Sequence, residues 1–202
     1  MLEDSFFKAA PELKADFKLR APVQHQACRH RIDSLASLKE LLAEKRKSRE
    51  RPVLRFLVDK TGKAWFARET EPGVAAPKHF QMTGEKQENA ACITAGNLKF
   101  RNRRYKVLKR LNHRSGDFKP SFYSLRIFIV ILILNENELP FKLPRTIVTK
   151  ELDLQGNTLR KHRWSLRKLK LWVQNFADKE VLLSVLSDQS NGAKFVDYDS
   201  TL

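Results

Sequence analysis

The residues whose types could perform acid–base or nucleophilic chemistry lie in two short segments. His79 stands beside Lys78 where a loop gives way to the next element, and His113 lies two residues before Ser115 and four before Asp117. Histidine and carboxylate groups are common proton donors and acceptors in catalysis, and a serine hydroxyl becomes a nucleophile beside a base. We therefore treat His79, His113 and Asp117 as candidate catalytic residues of a transferase or hydrolase.

The same loop also has a purely structural interpretation. Serine and aspartate side chains often bond backbone amides in turns, and Gly116 between Ser115 and Asp117 is expected to supply a positive φ. A catalytic site is recognised by geometry across the fold, not by closeness in sequence. Whether the chain is an enzyme therefore stays open from the sequence.

The N-terminal cysteine and histidines are not expected to hold a metal. His25, Cys28 and His30 have metal-ligating types, but a structural zinc site needs four ligands and no second pair follows. Cys28 and Cys92 are the only cysteines, too few for a disulfide framework, which indicates a reducing compartment. We predict neither a metal site nor a cofactor.

Basic residues form two clusters, within residues 99–114 and 160–170. The 202-residue chain has a formal net charge of +16, and 15 Lys and Arg against 6 Asp and Glu give residues 53–120 a net +9. Such clusters attract phosphate-bearing polymers, anionic membranes or acidic proteins, although many charge runs are only solvated faces. No motif that reads bases is present, so nucleic acid is the weaker alternative. The residues expected to contact an anion or partner are Arg101, Arg103, Arg104, Lys106, Lys109, Arg110, Arg163, Arg167 and Lys168.

The first half of the chain reads as a helical arm followed by strands. Asp33 caps a predicted helix over residues 34–49, and the segments VLRFLVD and KAWFARE flank turn residues as in a hairpin. A short strand is expected around residues 79–82. A further strand is expected at residues 91–100, where Gly96 indicates a bulge or a close backbone approach. Alternation predicts a strand with one basic face over residues 104–111.

The second half combines a buried helix with a hairpin and a helix. Apolar residues nearly all round the predicted helix 121–134 indicate burial, and its eight-residue run IFIVILIL is shorter than the roughly 20 residues of a membrane span. TIVTKEL and TLRKHRW read as a second hairpin, after which Ser165 caps a helix.

These elements predict an α+β fold, in which an antiparallel meander of four or five strands packs on the buried helix. An N-terminal helical arm precedes it, and a hairpin plus helix follows it. We divide the chain into an arm and helix (residues 1–52), a core domain (residues 53–176) and a weak helix and tail (residues 177–202). The charged N-terminus does not resemble a signal peptide.

Five segments in order resemble a domain of bacterial effector proteins that type IV (Dot/Icm) secretion systems inject into host cells. They are FLVDKTGKAWFARE, PKHFQMTG, ACITAGNLKF, LNHRSGDFKPSFYSL and LILNENELPFKLP. The resemblance implies secretion into the host cytosol, translocation through the C-terminal tail and a role in virulence. It leaves two mechanisms: docking of the basic surface on an acidic host protein or anionic membrane, and modification of a host protein by a His/Asp site.

Overall fold

A computed structural model of the chain describes residues 7–8, 30–31, 42, 53–59, 64–69, 77–84, 90–101, 107–120, 122–153 and 155–174. Its strands are β1 (Phe7–Lys8), β2 (His30–Arg31), β3 (Val53–Asp59), β4 (Ala64–Arg68), β5 (Ala91–Phe100), β6 (Leu108–Asn112), β7 (Thr146–Leu152) and β8 (Thr158–Ser165). Its helices are α1 (His79–Met82), α2 (Leu125–Leu134) and α3 (Leu166–Gln174). The α+β class is confirmed.

One sheet contains every described strand, in the order β2-β4-β3-β5-β6-β7-β8, with β1 paired to β5. Strands β3 and β4 form the predicted hairpin, and β5 runs antiparallel to β3 and to β6. Gly96 of β5 marks the expected close approach, because a Cβ there would lie 1.9 Å from the Asn112 carbonyl oxygen. The two-residue strands β1 and β2 add parts of the N-terminal arm to this sheet.

Strands β6 and β7 are parallel, which the prediction of a separate second hairpin did not include. Parallel neighbours need a crossover of a dozen or more residues, and the segment between these strands contains α2. Because α2 is apolar nearly all round, it packs on the sheet. The chain after α2 then enters the sheet again as β7, which runs in the same direction as β6. The β7–β8 hairpin therefore extends the first sheet instead of forming another.

The two faces of the sheet differ in what covers them. On the α2 face, the ring of Phe56 stacks on Phe128 of α2 with centroids 3.8 Å apart and planes 9° apart. The main core gathers there, including Leu54, Ile147 and Trp164. On the opposite face, a smaller cluster joins the β3–β5 region to α1 and the loop after β6; its members are Leu57, Ala67, Phe80, Met82, Ala90, Cys92, Ala95 and Phe118.

One local prediction needs correction. Residues His79–Met82 form the short helix α1 and not a strand, because the Gln81 side chain accepts the Lys78 N–H at 2.8 Å and closes a turn that four residues of sequence do not reveal. Strand β6 covers Leu108–Asn112, and residues 104–106 of the predicted strand lie outside the described residues. The predicted helix 34–49, except the helical residue Leu42, and the segment 177–202 lie outside the described residues.

The last described helix follows its prediction. Ser165 Oγ accepts the Lys168 N–H at 3.5 Å, at the start of α3. Leu166, Leu169 and Val173 are buried, at the spacing of one helical face.

Candidate functional site

His79 is held inside the fold by its ring. Its Nε2 lies 3.0 Å from the Gly96 carbonyl oxygen, and because a carbonyl only accepts, Nε2 carries the proton and donates it. Burial lowers the pKa of His79 to about 4; the hydrogen bond to Gly96 raises this pKa, and the positive charge of Arg55 lowers it. The side chain is 5% exposed and neutral at pH 7. These contacts join α1 to β5.

Asp117 belongs to the same corner of the fold. Its Oδ2 accepts the Phe80 N–H at 3.2 Å, so the loop after β6 is bonded to α1. Burial raises the pKa of Asp117, against the hydrogen bond from Phe80 and the positive charges of Lys78 and Arg55, which lower it. The carboxylate thus shares its surroundings with the backbone at His79.

His113 faces a different part of the molecule. Its Nδ1 donates to the Pro120 carbonyl oxygen at 2.8 Å, and its Nε2 accepts the Leu152 N–H at 3.0 Å. Burial lowers the pKa of His113, although the hydrogen bond to Pro120 and the charge of Glu151 raise it. With both ring nitrogens bonded to backbone, His113 joins the loop after β6 to the end of β7.

The three candidate catalytic residues therefore have structural partners. The structure brings the Asp117 carboxylate to α1 beside His79, whereas His113 lines a cavity that neither of the other two lines. A general base must reach its proton at hydrogen-bond distance, and the ring nitrogens of His113 are already occupied. A catalytic role for these residues stays a prediction.

The cavity that His113 lines is called the β6–β7 cleft below. It has a volume of about 220 Å³. Its lining consists of His113, Arg114, Ser115, Gly116, Lys119, Pro120, Leu152, Asp153, Gln155 and Gly156.

The loop on one side of this cleft differs from the predicted turn. Ser115 Oγ accepts the Phe118 N–H at 3.3 Å, as the structural interpretation expected, but the positive φ of 46° belongs to Lys119 and not to Gly116. A hydrogen bond from the Lys119 N–H to the Ser115 carbonyl oxygen, 3.0 Å long, makes this segment a single helical turn. Its closing residue adopts the left-handed conformation, so the positive φ falls at position 119.

The predicted basic residues are distributed over several elements. Arg103, Arg104 and Lys106 lie outside the described residues. Arg101 is exposed after β5, Lys109 is the extra residue of a bulge in β6, and Arg110 is half-buried in β6. Exposed Arg163 lies on β8, whereas Arg167 and Lys168 lie on α3, where Arg167 borders an open groove of about 770 Å³.

Four cations from four neighbouring strands form a row that we call the basic strip: Lys99, Arg110, Lys150 and Lys161. Lys99 of β5 pairs directly with Arg110 of β6, and Lys150 of β7 pairs directly with Lys161 of β8. Side chains alternate between faces along a strand, and the neighbouring Thr149 bonds Trp164 in the α2 core. The strip therefore lies on the face opposite α2. Between β6 and β7 the strip shifts by two residues along the strands, because Lys150 pairs with Asn112 and not with Arg110. At the usual strand spacing and rise it spans about 16 Å.

The other charges of the basic strip act on Lys150. Desolvation, and then the positive charges of Arg110, Lys161 and Lys99, lower the pKa of Lys150. Like charges directly opposite each other destabilise a strand pair, and within the described part of the chain none of the four is bridged to a carboxylate. The sheet thus keeps two like-charged cross-strand pairs, in which Lys150 Nζ donates a hydrogen bond to Thr158 Oγ1 at 3.0 Å.

Two features of this region were not predicted from the sequence. Lys150 lies outside both basic clusters, and only its register with Lys161 places it in the strip. His162 is buried on the α2 face, with Nε2 2.9 Å from Glu151 Oε2 and its ring between Phe122 and Trp164. The alternation of His162 with Trp164 in β8 was the available signal for this burial.

The described residues give no support to other kinds of site. They contain no group of three or more His, Cys, Asp or Glu side chains arranged to hold a metal ion. Cys92 is fully buried, and burial, with the charge of Asp117, raises the pKa of its thiol. No helix in the described ranges has both the length and the apolar character that a membrane crossing requires.

Comparison of the chain with protein families, with curated proteins and with solved structures finds no match. The functional argument therefore depends on the geometry above.

Proposed function

We propose that this protein is a secreted bacterial effector that binds an anionic membrane in the host cell through its basic strip. The main support is the direct pairing of Lys99 with Arg110 and of Lys150 with Lys161 across neighbouring strands. An anionic surface that approaches this face relieves the repulsion between like charges, which gives the arrangement a use in the bound state that it lacks in the free protein.

A membrane fits the strip better than an acidic protein does because of a neighbouring apolar side chain. Leu159 of β8 is 65% exposed and is the extra residue of a bulge next to the strip end at Lys161. A cationic surface with a protruding leucine suits the headgroup region, where the charges meet phosphates and the side chain enters the acyl boundary. An acidic host protein is the other outcome that the experiment below distinguishes.

The expected affinity is modest. Each Lys or Arg near an anionic membrane surface contributes about 1 kcal/mol, so the strip contributes roughly 4 kcal/mol. Burial of a leucine side chain adds about 2 kcal/mol. The total of about 6 kcal/mol corresponds to an apparent dissociation constant of tens of micromolar, roughly, at moderate salt.

Vesicle sedimentation tests the proposal, with phosphatidylserine-containing vesicles compared against purely zwitterionic ones. Replacing Lys150 and Lys161 by Gln removes two of the four charges and is expected to weaken binding by about 30-fold. The matched control replaces Lys142 and Arg145 by Gln, because both are exposed cations outside the strip. Equal losses in the two double variants would refute a role for the strip.

The same experiment distinguishes the membrane from an acidic protein. Leu159→Ser should weaken vesicle binding by about 30-fold, since it removes the apolar contribution of about 2 kcal/mol without changing charge. If the wild-type chain does not bind phosphatidylserine vesicles at about 50 mM salt, where electrostatic screening is weak, the membrane proposal fails.

The effector part of the proposal is supported by the motif series, from FLVDKTGKAWFARE to LILNENELPFKLP. Its test is translocation of a reporter fused to this chain, from bacteria with and without a working Dot/Icm apparatus. Delivery that requires the apparatus, and that is lost on removing residues 177–202, is the expected result. Delivery without the apparatus, or none in either strain, would contradict it.

A further inference from the structure

The β6–β7 cleft lies where the sheet changes its connectivity. Strands β6 and β7 are parallel neighbours, so their carboxyl ends reach the same edge of the sheet. The chain leaves β6 toward α2 on one face, whereas it leaves β7 through a tight turn into β8 within the sheet. Diverging connections at the carboxyl ends of parallel strands open a crevice, which is a common place for ligands in open α/β sheets.

Arg114 forms one wall of this cleft, with its guanidinium against the β7–β8 turn. A Cβ at Gly156 would lie 3.2 Å from Arg114 Nε and 3.6 Å from its Nη2. Gly156 has a φ of +87°, so the turn combines a glycine conformation with room for the guanidinium. The turn therefore determines where this cation sits relative to the cavity.

Lys119 supplies a second cation in the lining, from a backbone conformation that lysine rarely adopts. Its φ is 46°, and it closes the single helical turn that begins at Ser115. Glycine would occupy this position without steric strain. A strained non-glycine residue is a reason to look for a function of its side chain, and Lys119 borders the cavity.

The acceptor atoms in the lining are largely used within the protein. Both His113 nitrogens bond backbone groups, and the two Asp153 oxygens bond the backbone and side-chain nitrogens of Asn157. Ser115 Oγ accepts the Phe118 N–H, and its hydroxyl hydrogen has no acceptor in the described part of the chain. With Arg114 and Lys119 against the single Asp153 carboxylate, the lining keeps a net positive charge and offers donors, which select an oxyanion.

We propose that the β6–β7 cleft binds a phosphate monoester or inorganic phosphate, with Arg114 and Lys119 as charged contacts and the Ser115 hydroxyl as a neutral donor. A volume of about 220 Å³ accommodates a phosphate group with a small substituent. Guanidinium and phosphate match in a two-point hydrogen bond, which makes Arg114 the main contact. The site is distinct from the basic strip and does not require membrane binding.

Calorimetric titration of the full chain tests this site, with inorganic phosphate and with phosphoserine as a simple monoester. Saturable binding is expected, and Arg114→Met should lower the affinity by at least about tenfold, the usual loss for one charged hydrogen bond. Lys142→Met is the matched control, because it removes an exposed cation outside the cleft.

The substitution Lys119→Gly separates a loss of phosphate binding from a loss of folding. Glycine accepts the positive φ, so the melting temperature should stay level or rise while phosphate affinity falls by about tenfold. Absence of saturable binding up to about 10 mM phosphate, far above the usual range for a specific site, would overturn the proposal. Unchanged affinity in Arg114→Met would overturn it as well.

The monoester can be soluble or the headgroup of a lipid, and vesicles distinguish these sources. Phosphatidic acid presents a phosphate monoester, whereas phosphatidylserine does not. If phosphatidic acid binds more tightly at equal surface charge, and Arg114→Met removes the difference, the source is a lipid. Equal binding to both vesicles, together with saturable phosphoserine binding, supports a soluble source. If phosphate does not bind but phosphatidylserine vesicles still do, the phosphate site in the cleft is refuted and the membrane proposal is not.

Discussion

Stability should fall on acidification because the protein keeps His79 neutral. The ring is 5% exposed, and burial lowers its pKa to about 4 from an ordinary value of 6.5. A histidine with a depressed folded-state pKa stabilises the protein fully above pH 6.5, and this contribution is lost as the pH falls toward 4. The unfolded chain binds the proton first throughout that interval.

The size of this effect follows from the two pKa values. The interval from 6.5 to about 4, at about 1.4 kcal/mol per pKa unit, corresponds to about 3 kcal/mol of unfolding free energy. Most of it, about 2 to 3 kcal/mol, should be lost by about pH 4.5. This is a large part of the 5–15 kcal/mol, roughly, that is typical of a domain.

The matched variant is His79→Gln, whose side-chain amide can still donate to the Gly96 carbonyl oxygen but cannot titrate. Urea unfolding at about pH 7 and about pH 4.5 measures the loss of stability for each protein. His113 and Asp117 titrate in both proteins, so their contributions cancel in the comparison. The wild type should lose about 2 to 3 kcal/mol more than the variant. Losses equal within about 0.5 kcal/mol would refute the assignment of a buried neutral histidine.

Four further substitutions test the packing and the α3 cap by urea unfolding. Gly96→Ala should destabilise the protein by about 3 kcal/mol or more, because the new Cβ would lie 1.9 Å from the Asn112 carbonyl oxygen. In the control Gly116→Ala the new Cβ meets nothing within 4 Å, so this variant should be neutral or slightly stabilising. Equal effects of the two substitutions would contradict the close approach at Gly96. Phe128→Ala should cost about 3–5 kcal/mol through the cavity left in the α2 core, and a loss below about 1 kcal/mol would argue against its stacked position. Ser165→Ala should cost about 1 kcal/mol by removing the α3 cap, and no loss would show that the cap is not formed in solution.

Much of the secondary structure was predictable because its signals are local. Alternation identifies the strands Val53–Asp59 and Ala64–Arg68, and the apolar run Ile127 to Leu134 identifies a buried helix. The short helix His79–Met82 was not predictable, because four residues are too few to show a period. Besides the contact between Lys78 and Gln81, it is held by the Asp117 carboxylate, which lies 37 residues from Phe80 along the chain.

The candidate sites were also only partly predictable from local sequence. His113 and Asp117 are four residues apart, and sequence reasoning grouped them, but the turn that closes at Lys119 sends one side chain to β7 and the other to α1. The β6–β7 cleft was not predictable at all. It depends on β6 and β7 being parallel neighbours, a pairing set by where α2 packs.

The amino-acid sequence by itself determined the sign and amount of charge, the apolar stretches that must be buried and the α+β class. Tertiary structure alone decided which charges meet. Lys99, Arg110, Lys150 and Lys161 come from four strands, and one residue of slip in any strand would move its cation to the α2 face. Register is set by contacts between residues far apart in sequence, and no local pattern contains it.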